Sequence, residues 1–259
     1  MENKVINRDA SATKIFDDRS LAVDYRTLPS LLKPGMKVLD VGCGTGSITK
    51  DIAKFVRFVT GIDNTEKFIL SGKQSFHHVK NMELIETDLF QYDPKEKFDL
   101  IVSARTMQWL NNVPAALIKM KSLLNDGGTL SILDYNHTKA EWTPDPPASM
   151  KKFYTAFLEW RESAGMNNQV GDDLPRLFEE AGFKNIEVLN ADEHNNRSDK
   201  NFVFRAGIWS KVAELKQIVE EGFATEPERL KAIEEYDNWV KNEGQRMILK
   251  LNETRAVKS

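Results

Sequence analysis

The sequence predicts an α/β fold, a mostly parallel β-sheet covered by helices on both faces. Short apolar runs alternate with longer segments in which apolar residues recur every three or four positions. The apolar runs show no polar alternation, which indicates strands buried on both faces, as in a parallel sheet. At 259 residues, 41% of them hydrophobic, the chain can bury one large core. We therefore expect a single domain over residues 1–259.

Seven strands account for the apolar runs. Between the first two, Ile48, Ile52 and Val56 predict a crossover helix, and Asn112 with Pro114 predicts the start of another before the fifth strand. The predicted strands are Lys37 to Val41, Phe58 to Ile62, Met82 to Glu86, Leu100 to Ser103, Leu130 to Asp134, Asn185 to Leu189 and Arg246 to Val257.

Beyond Asp134 the alternation stops, which indicates inserted segments. Residues 135–147 are polar and contain prolines, so we predict a loop there. Helices are then expected over 150–160, 172–181, 208–219 and 230–240. The predicted core comprises 30–135, 172–190 and 245–257, and a helical lid is formed by 1–29, 136–171 and 198–243.

Aromatic side chains are concentrated in the inserted segments. They either close over an apolar acceptor as a cap or form the core of the insertion itself, and both interpretations stay open. These aromatic residues are Phe153, Tyr154, Phe157, Trp160, Phe202, Phe204 and Trp209.

Composition excludes several classes of function. A net charge of −3 and a pI near 5.9 give no general attraction for nucleic acid. The single cysteine, Cys43, and four scattered histidines give no metal-ligand spacing, so no metal is predicted. No apolar stretch approaches the roughly 18 residues that cross a membrane. We expect a cytoplasmic monomer or homodimer that acts on a small molecule.

A glycine-rich loop follows the first predicted strand. Residues 38–49 read VLDVGCGTGSIT, and such a loop between a strand and a helix directs backbone N–H groups towards a ligand. The dinucleotide fingerprint requires its third glycine where Ser47 stands. A phosphate-binding loop requires Gly-Lys-Ser/Thr, which is missing. The pattern favours a nucleoside without a polyphosphate.

Three acids lie at or just beyond the C-terminal ends of the first three predicted strands. Asp40 precedes the glycines, where a carboxylate repels a pyrophosphate but attracts an ammonium group. Asp63 ends the second strand, where an acid accepts hydrogen bonds from both ribose hydroxyls. Asp88 follows the third strand, close to where an adenine amino group needs an acceptor. Together with the glycines they form a specific constellation.

The motif Asp40-Val-Gly42-Cys-Gly44-Thr-Gly46 with Asp63 and Asp88 resembles that of the class I S-adenosylmethionine-dependent methyltransferases. The resemblance covers about residues 36–134. It implies a Rossmann-like sheet of seven strands with an antiparallel last strand, which the segment from Arg246 supplies. It also implies S-adenosylmethionine as cofactor and S-adenosylhomocysteine as product.

The same resemblance implies roles for individual residues. Asp40 and the loop backbone serve the methionine moiety, Asp63 the ribose and Asp88 the adenine, and the carbonyl of Ala104 contacts the methionine end. The implied cofactor-binding residues are Arg26, Asp40, Gly42, Cys43, Gly44, Gly46, Asp63, Asn64, Asp88, Leu89 and Ala104.

Two features bear on the methyl acceptor. The Gln108-Trp109 pair after the fourth strand and Arg26 resemble features of the trans-aconitate and malonyl-carrier-protein methyltransferases, which implies an acidic substrate and Trp109 in the acceptor site. The alternative is that Trp109 is a packing residue and Arg26 a surface cation. His137, beyond the fifth strand, is a candidate general base, the alternative being a solvated loop histidine.

The predicted function is methyl transfer to a small molecule by in-line displacement, with oxygen, nitrogen or carbon as the nucleophile. Two alternatives remain. One is a protein that binds S-adenosylmethionine or S-adenosylhomocysteine without catalysis. The other is an NAD-dependent oxidoreductase.

Overall fold

A computed structural model describes residues 19–259, and its centre is a mixed sheet of eight strands. The spatial order is β3-β2-β1-β4-β5-β8-β6, with β7 also paired to β8. Strands β1 to β5 pair in parallel, and β8 runs antiparallel to β5 and β6. The strands are β1 (Lys37–Val41), β2 (Phe58–Asp63), β3 (Met82–Glu86), β4 (Phe98–Ala104), β5 (Leu124–Thr143), β6 (Lys184–Asn190), β7 (Glu193–Asn196) and β8 (Arg246–Val257).

The predicted fold class is confirmed: the sheet is mostly parallel, its last strand along the chain is antiparallel, and it has eight strands instead of seven. Helices and short 3₁₀ turns connect the strands. The 3₁₀ turns are Leu28–Leu31 and Met107–Trp109, and the helices are α1 (Leu21–Asp24), α2 (Ser47–Ile52), α3 (Glu66–Phe76), α4 (Val113–Leu123), α5 (Ala148–Ser163), α6 (Val170–Glu180), α7 (Phe202–Ala206), α8 (Ile208–Ala213), α9 (Gln217–Glu220) and α10 (Glu226–Asn242).

Two hydrophobic clusters lie on opposite faces of the sheet, because successive strand residues such as Val38 and Leu39 point to opposite sides. One cluster takes in the apolar side chains of α4 and α6. The other joins α1 and α2 to the inserted helices, among which α10 packs against both α5 and α8. Residues 1–18 of the predicted lid lie outside the described part of the chain.

The loop predicted over 135–147 is wrong, because β5 continues to Thr143. Its second half pairs with β8: Tyr135 lies opposite Leu251 and Thr143 opposite Arg246, with a bulge between Asn136 and Glu141. This polar segment can form a strand because it pairs through backbone hydrogen bonds with β8, more than a hundred residues further along the chain. Local hydrophobicity does not indicate such a distant partner.

Two further differences lie in the second half of the chain. The four-residue strand β7, Glu193–Asn196, is entirely polar and was not predicted. The helix predicted over 208–219 is two short helices, Ile208–Ala213 and Gln217–Glu220. In contrast, Asn112 caps α4 as predicted, since its Oδ1 accepts a hydrogen bond of 3.1 Å from the N–H of Ala115.

Candidate active site

A pocket opens where the strand order reverses, between β1 and β4. In open α/β sheets this switch point, at the carboxyl ends of the strands, is where ligands bind. The pocket encloses about 310 Å³, including the part that is open to solvent. Its lining combines the end of β1, the first turn of α2 and the end of β4 with one residue from before α1: Arg19, Asp40, Gly42, Cys43, Ser47, Ile48 and Ala104.

The glycine loop has a backbone conformation that favours glycine. Gly42, Gly44 and Gly46 have φ angles of 74°, 57° and 81°, in the left-handed region. The N–H groups of Gly42 and Cys43 donate to the carbonyl of Ile62, which ties the loop to the end of β2. Since α2 begins directly at Ser47, the positive end of its helix dipole faces the pocket.

Gly42 also has no room for a side chain. A Cβ atom there would lie 2.1 Å from the Oγ1 atom of Thr106, which follows β4. The backbone of the loop after β1 therefore packs directly against the Thr106 side chain of the loop after β4. This contact brings Ala104 to the same pocket as Asp40.

Asp40 is a buried acid on the pocket wall. Its Oδ2 atom accepts a hydrogen bond of 2.6 Å from the hydroxyl of Thr49 on α2. Burial raises the pKa of the Asp40 carboxyl to about 6, with the nearby Asp63 adding to the shift. A cationic ligand group beside Asp40 would offset the cost of this buried charge.

Asp63 is the last residue of β2, and Asp88 follows the end of the neighbouring strand β3. Asp63 accepts hydrogen bonds from the N–H groups of Gly44, at 3.0 Å, and Thr65, at 2.9 Å. Asp88 is partly exposed and accepts 2.8 Å from the N–H of Phe90. Neither acid lines the pocket, but both lie at the carboxyl ends of strands that pair with β1 or with its neighbour.

The flanking residues Asn64 and Leu89 differ in exposure. Asn64 is exposed and Leu89 is buried in the apolar cluster beneath the sheet edge. Cys43 lines the pocket, and burial raises the pKa of its thiol well above the usual value, with Asp40 and Asp63 nearby. The side chain therefore stays a neutral thiol.

Arg26 is not among the residues that line the pocket. It is exposed, and its Nη2 atom donates 3.1 Å to the carbonyl of Asp192. Arg19 lines the pocket in its place, and burial together with the neighbouring Arg105 cation lowers the pKa of its guanidinium. The cation on the pocket wall is thus the arginine seven positions earlier.

His137 is buried within β5, so the solvated-loop interpretation is wrong. Its Nε2 atom lies 2.6 Å from Oε1 of Gln108. Because the amide nitrogen of Gln108 donates to the carbonyl of Arg105, Oε1 is the acceptor and Nε2 of His137 carries the proton. Burial and the Arg161 cation lower the pKa of His137 well below its usual value, so the ring is neutral at pH 7.

Aromatic rings surround this histidine. The ring of Tyr135 stacks on it at 5.1 Å, and those of Phe157 and Trp209 meet it edge-on at 6.0 and 5.9 Å. The hydroxyl of Tyr154 donates 2.6 Å to the carbonyl of His137. We call these four rings, contributed by β5, α5 and α8, the aromatic wall.

Trp109 is partly exposed and lies beside a buried cation. The guanidinium of Arg161 lies 5.0 Å from the centre of its ring and 5.4 Å from that of Phe157. Arg161 also donates to Asn168 Oδ1 at 2.6 Å and to the Gln108 carbonyl at 2.7 Å. The turn after β4 is therefore bound on one side to His137 and on the other to Arg161.

Comparison with known proteins identifies the family. A family model described as a methyltransferase domain matches residues 32–182, which is more than half of the chain. The chain belongs to the class I S-adenosylmethionine-dependent methyltransferases. Over 172 residues this methyltransferase is 28% identical to the demethylmenaquinone methyltransferase of Staphylococcus aureus, a match that covers 61% of the chain and 71% of the relative.

Solved structures of other proteins share the fold. One is the phosphoethanolamine N-methyltransferase 2 of Haemonchus contortus, in complex with phosphomonomethylethanolamine and S-adenosylhomocysteine, with a TM-score of 0.57 and 18% identity. It covers 92% of our methyltransferase, which spans 52% of the Haemonchus chain. Another is the YcgJ protein of Bacillus subtilis, with a TM-score of 0.57, 14% identity and coverages of 90% and 98%. At these identities the similarity shows the fold.

The cofactor of this methyltransferase, S-adenosylmethionine, carries an ammonium, a carboxylate and a ribose, and the site offers complementary groups. Asp40 is a buried acid, and it lines the pocket together with the cation Arg19. The positive-φ glycines leave backbone N–H groups close to the space where the ligand would lie. The residues present therefore fit the cofactor.

Several site residues escaped the sequence analysis. Ser47 and Ile48 form the first turn of α2, and their position directly after the glycines was a signal that could have identified them. Arg19 could not be told from Arg26 by sequence. Nothing in the sequence marks Arg161 as a site residue, because an arginine in a helix usually faces solvent. In the structure its side chain is fully buried.

Within residues 19–259 no group of three or more histidine, cysteine, aspartate or glutamate side chains is placed to hold a metal ion. The helices of this part of the methyltransferase are also too short or too polar to cross a membrane.

Proposed function

We propose that this methyltransferase transfers the methyl group of S-adenosylmethionine to a small-molecule acceptor by in-line displacement at oxygen, nitrogen or carbon. The observation that carries the proposal is the position of the pocket. It lies at the switch point between the glycine loop and Ala104, and the next residue, Arg105, contacts Tyr135 of the aromatic wall, with its Nε donating 2.8 Å to the phenol oxygen.

The cofactor site takes its polar groups from three strand ends. We assign the ammonium group to Asp40 and the carbonyl of Ala104, and the carboxylate to Arg19. The ribose falls to Asp63 and the adenine to Asp88, flanked by Asn64 and Leu89. When bound, the cofactor supplies an electrophilic methyl group on a positively charged sulfur.

The acceptor site is assigned to the space between Trp109 and the aromatic wall. Catalysis of in-line displacement depends on aligning the nucleophile with the methyl group and on excluding water, more than on covalent help. Trp109 and Tyr135 are only partly buried, so they can meet an incoming acceptor, while Phe157 forms a dry layer behind them.

His137 is assigned as the group that accepts a proton from the acceptor. It is neutral at pH 7, and its Nε2 proton is committed to Gln108, which leaves Nδ1 as the basic nitrogen. Its lowered pKa makes it a weak base, so this role suits an acceptor whose nucleophile loses its proton readily. The similarity to a demethylmenaquinone methyltransferase supports a flat, ring-containing acceptor of that kind.

The test is transfer of label from S-adenosyl-L-[methyl-³H]methionine to a small-molecule extract, followed by mass identification of the product. Labelled small molecules are expected with the wild-type chain and not with the Asp63→Ala variant. Tight binding of S-adenosylhomocysteine without any transfer would instead indicate a binding protein. Tighter binding of NADH than of S-adenosylhomocysteine would indicate an oxidoreductase.

A further inference from the structure

Three buried hydrogen-bond donors near the proposed acceptor site have no acceptor within residues 19–259. They are Nη1 of Arg105, Nη1 of Arg161 and the indole Nε1 of Trp209. Buried donors in folded proteins are nearly always paired, since an unpaired one keeps the full cost of its desolvation. Three of them around one site indicate that their partner is a ligand that brings acceptors.

The three donors belong to one continuous cluster. The ring of Tyr135 lies 5.6 Å from the guanidinium of Arg105 and 5.1 Å from the ring of His137. His137 in turn contacts the ring of Trp209, and the ring of Phe157 links Trp209 to Arg161. Arg105 therefore lies at the Tyr135 end of the aromatic wall, Arg161 lies at the Phe157 end, and Trp209 is one of the rings of the wall itself. Each of the three has an unpaired donor.

The charges of the two arginines are balanced differently. Arg105 forms an ion pair with Glu193 of β7, a strand whose position the sequence did not indicate. Arg161 forms no ion pair among the described residues, and its two hydrogen-bond partners, Asn168 Oδ1 and the carbonyl of Gln108, are neutral. Burial lowers the pKa of Arg161 to about 10, so it remains a cation at pH 7.

Asp134 is the acid that most raises the pKa of Arg161, but it forms no ion pair with the guanidinium. Its carboxylate already accepts two hydrogen bonds from the backbone. It accepts hydrogen bonds from the backbone N–H groups of Gln108, at 3.1 Å, and Tyr135, at 2.9 Å. The aromatic planes of Trp109 and Phe157 flank the Arg161 guanidinium, which fixes the direction of its donors. A fixed, desolvated guanidinium without an acid partner is suited to binding an oxyanion.

We infer that the methyl acceptor is a small organic oxyanion, a carboxylate or a phosphate ester with a flat body, whose charged end binds Nη1 of Arg161 next to the indole N–H of Trp209. This inference rests on the proposed function. The flat body lies against the rings of the aromatic wall, and the anion neutralises Arg161, a cation that forms no ion pair among the described residues.

The experiment measures binding to the full chain saturated with S-adenosylhomocysteine, by titration calorimetry with two matched probe pairs. The pairs are para-hydroxybenzoate with para-hydroxybenzamide, and phenyl phosphate with phenol. Each anion is expected to bind at least ~10-fold more tightly than its neutral partner. The pair with the larger preference distinguishes a carboxylate from a phosphate. Equal affinities within both pairs, or no binding of any probe at millimolar concentration, would overturn the inference.

Arg161→Gln tests the residue. The variant is expected to reduce the preference for the anion to about 2-fold or less, and a preference that survives would overturn the assignment. Arg176→Gln is the matched control, because Arg176 is an exposed arginine on α6 that pairs with Glu180, and the preference must persist there. The titration with S-adenosylhomocysteine is read separately: its failure in the wild type would contradict the proposed function, whatever the anion result.

Trp209→Phe keeps the test decisive if Arg161→Gln does not fold. It keeps an aromatic ring but replaces the indole by the smaller phenyl group, so it removes the unpaired N–H together with part of the buried side chain. Anion binding should weaken by about 3-fold or more, while the melting temperature should fall because the smaller ring leaves a cavity in the core. Unchanged anion affinity would overturn the role of Trp209, and with an unfolded Arg161→Gln variant it would overturn the inference.

Discussion

The carboxylate of Asp63 lies 3.0 Å from the backbone nitrogen of Gly44, so the acid assigned to the ribose also fixes the loop assigned to the methionine moiety. The two halves of the cofactor site are therefore coupled: the charge at the end of β2 determines where the loop after β1 lies. A change at either position is expected to affect both.

Asp63→Ala should weaken binding of S-adenosylhomocysteine by about 1.5–3 kcal/mol, the worth of hydrogen bonds to a charged group. Titration calorimetry measures the change. Asp126→Ala is the control, since its side chain is 90% exposed and far along the chain from the loop. Wild-type affinity in Asp63→Ala would contradict the ribose assignment.

Gly42→Ala tests the contact between the loops after β1 and β4. The added methyl group meets Thr106, and the φ angle of 74° is strained for alanine, so the free energy of unfolding should fall by about 1–2 kcal/mol for the backbone and about 1–3 kcal/mol for the overlap. Gly127→Ala separates the two costs, because Gly127 has nearly the same φ, 75°, with nothing within 4 Å of an added Cβ. Equal losses in both variants, measured by denaturant unfolding, would show that the contact is unimportant.

Asp40, the acid assigned to the ammonium group, is expected to make cofactor binding depend on pH. Its pKa in the free protein is about 6, so the carboxyl is neutral below that pH and attracts an ammonium group only above it. Affinity for S-adenosylhomocysteine should rise as the pH is raised through about 6 and then level off. Titration from about pH 5 to about pH 8 measures this, and Asp40→Asn should remove the step. A step that persists in Asp40→Asn belongs to another group.

The same carboxyl gives a stability effect of opposite sign. A pKa raised above its unfolded value of 3.8 means that the folded state binds more protons, so the free energy of unfolding falls as the pH rises from about 4 to about 6. The loss is on the order of 3 kcal/mol and is complete above pH of about 6. Comparison of wild type with Asp40→Asn in urea isolates it, and a difference that does not change with pH would contradict the raised pKa.

Arg19 and Arg26 form a matched pair. Arg19→Gln should weaken binding of S-adenosylhomocysteine by about 10-fold through loss of a charge-assisted hydrogen bond to the carboxylate. Arg26→Gln should bind like the wild type, because Arg26 is exposed and directed to Asp192. The opposite result would restore the assignment that the sequence suggested.

His137→Phe should reduce kcat by about 100-fold or more with the acceptor identified by label transfer, since the ring shape is kept and the basic nitrogen is lost. Because burial keeps the imidazole neutral, wild-type kcat should show no titration of this group between about pH 6 and about pH 9. A variant with full kcat would mean that displacement needs no base.

The parallel strands could be predicted because each contains a short apolar run next to a turn or helix signal. The first and third were predicted to the residue: Lys37–Val41 and Met82–Glu86. The second half of β5 and all of β7 could not, since their residues are polar and both depend on pairing with β8. Hydrophobic periodicity carries no information about a partner strand that distant.

Part of the candidate site could also be predicted from the sequence, because its residues are close together along the chain. Asp40 and Gly42 lie two positions apart along the chain and belong to one motif, and they do line the pocket. Arg19, which precedes α1, and Arg161 on α5 reach the site only through the packing of these helices. Their positions depend on tertiary contacts, so the sequence could not separate them from exposed arginines such as Arg26 and Arg176.

The long pairing of β5 with β8 limits which part of this enzyme can adapt to a different acceptor. Tyr135 lies on the backbone ladder that closes the sheet, and His137, in the bulge that follows, donates its N–H to the carbonyl of Asn168 at 2.8 Å, so both amides should be among the slowest to exchange with deuterium. The rings of Tyr154, Phe157 and Trp209 come from the helices α5 and α8 instead. A new acceptor can therefore be accommodated by repacking α5 and α8 around a fixed half of the site, without redesigning the half that adjoins the cofactor.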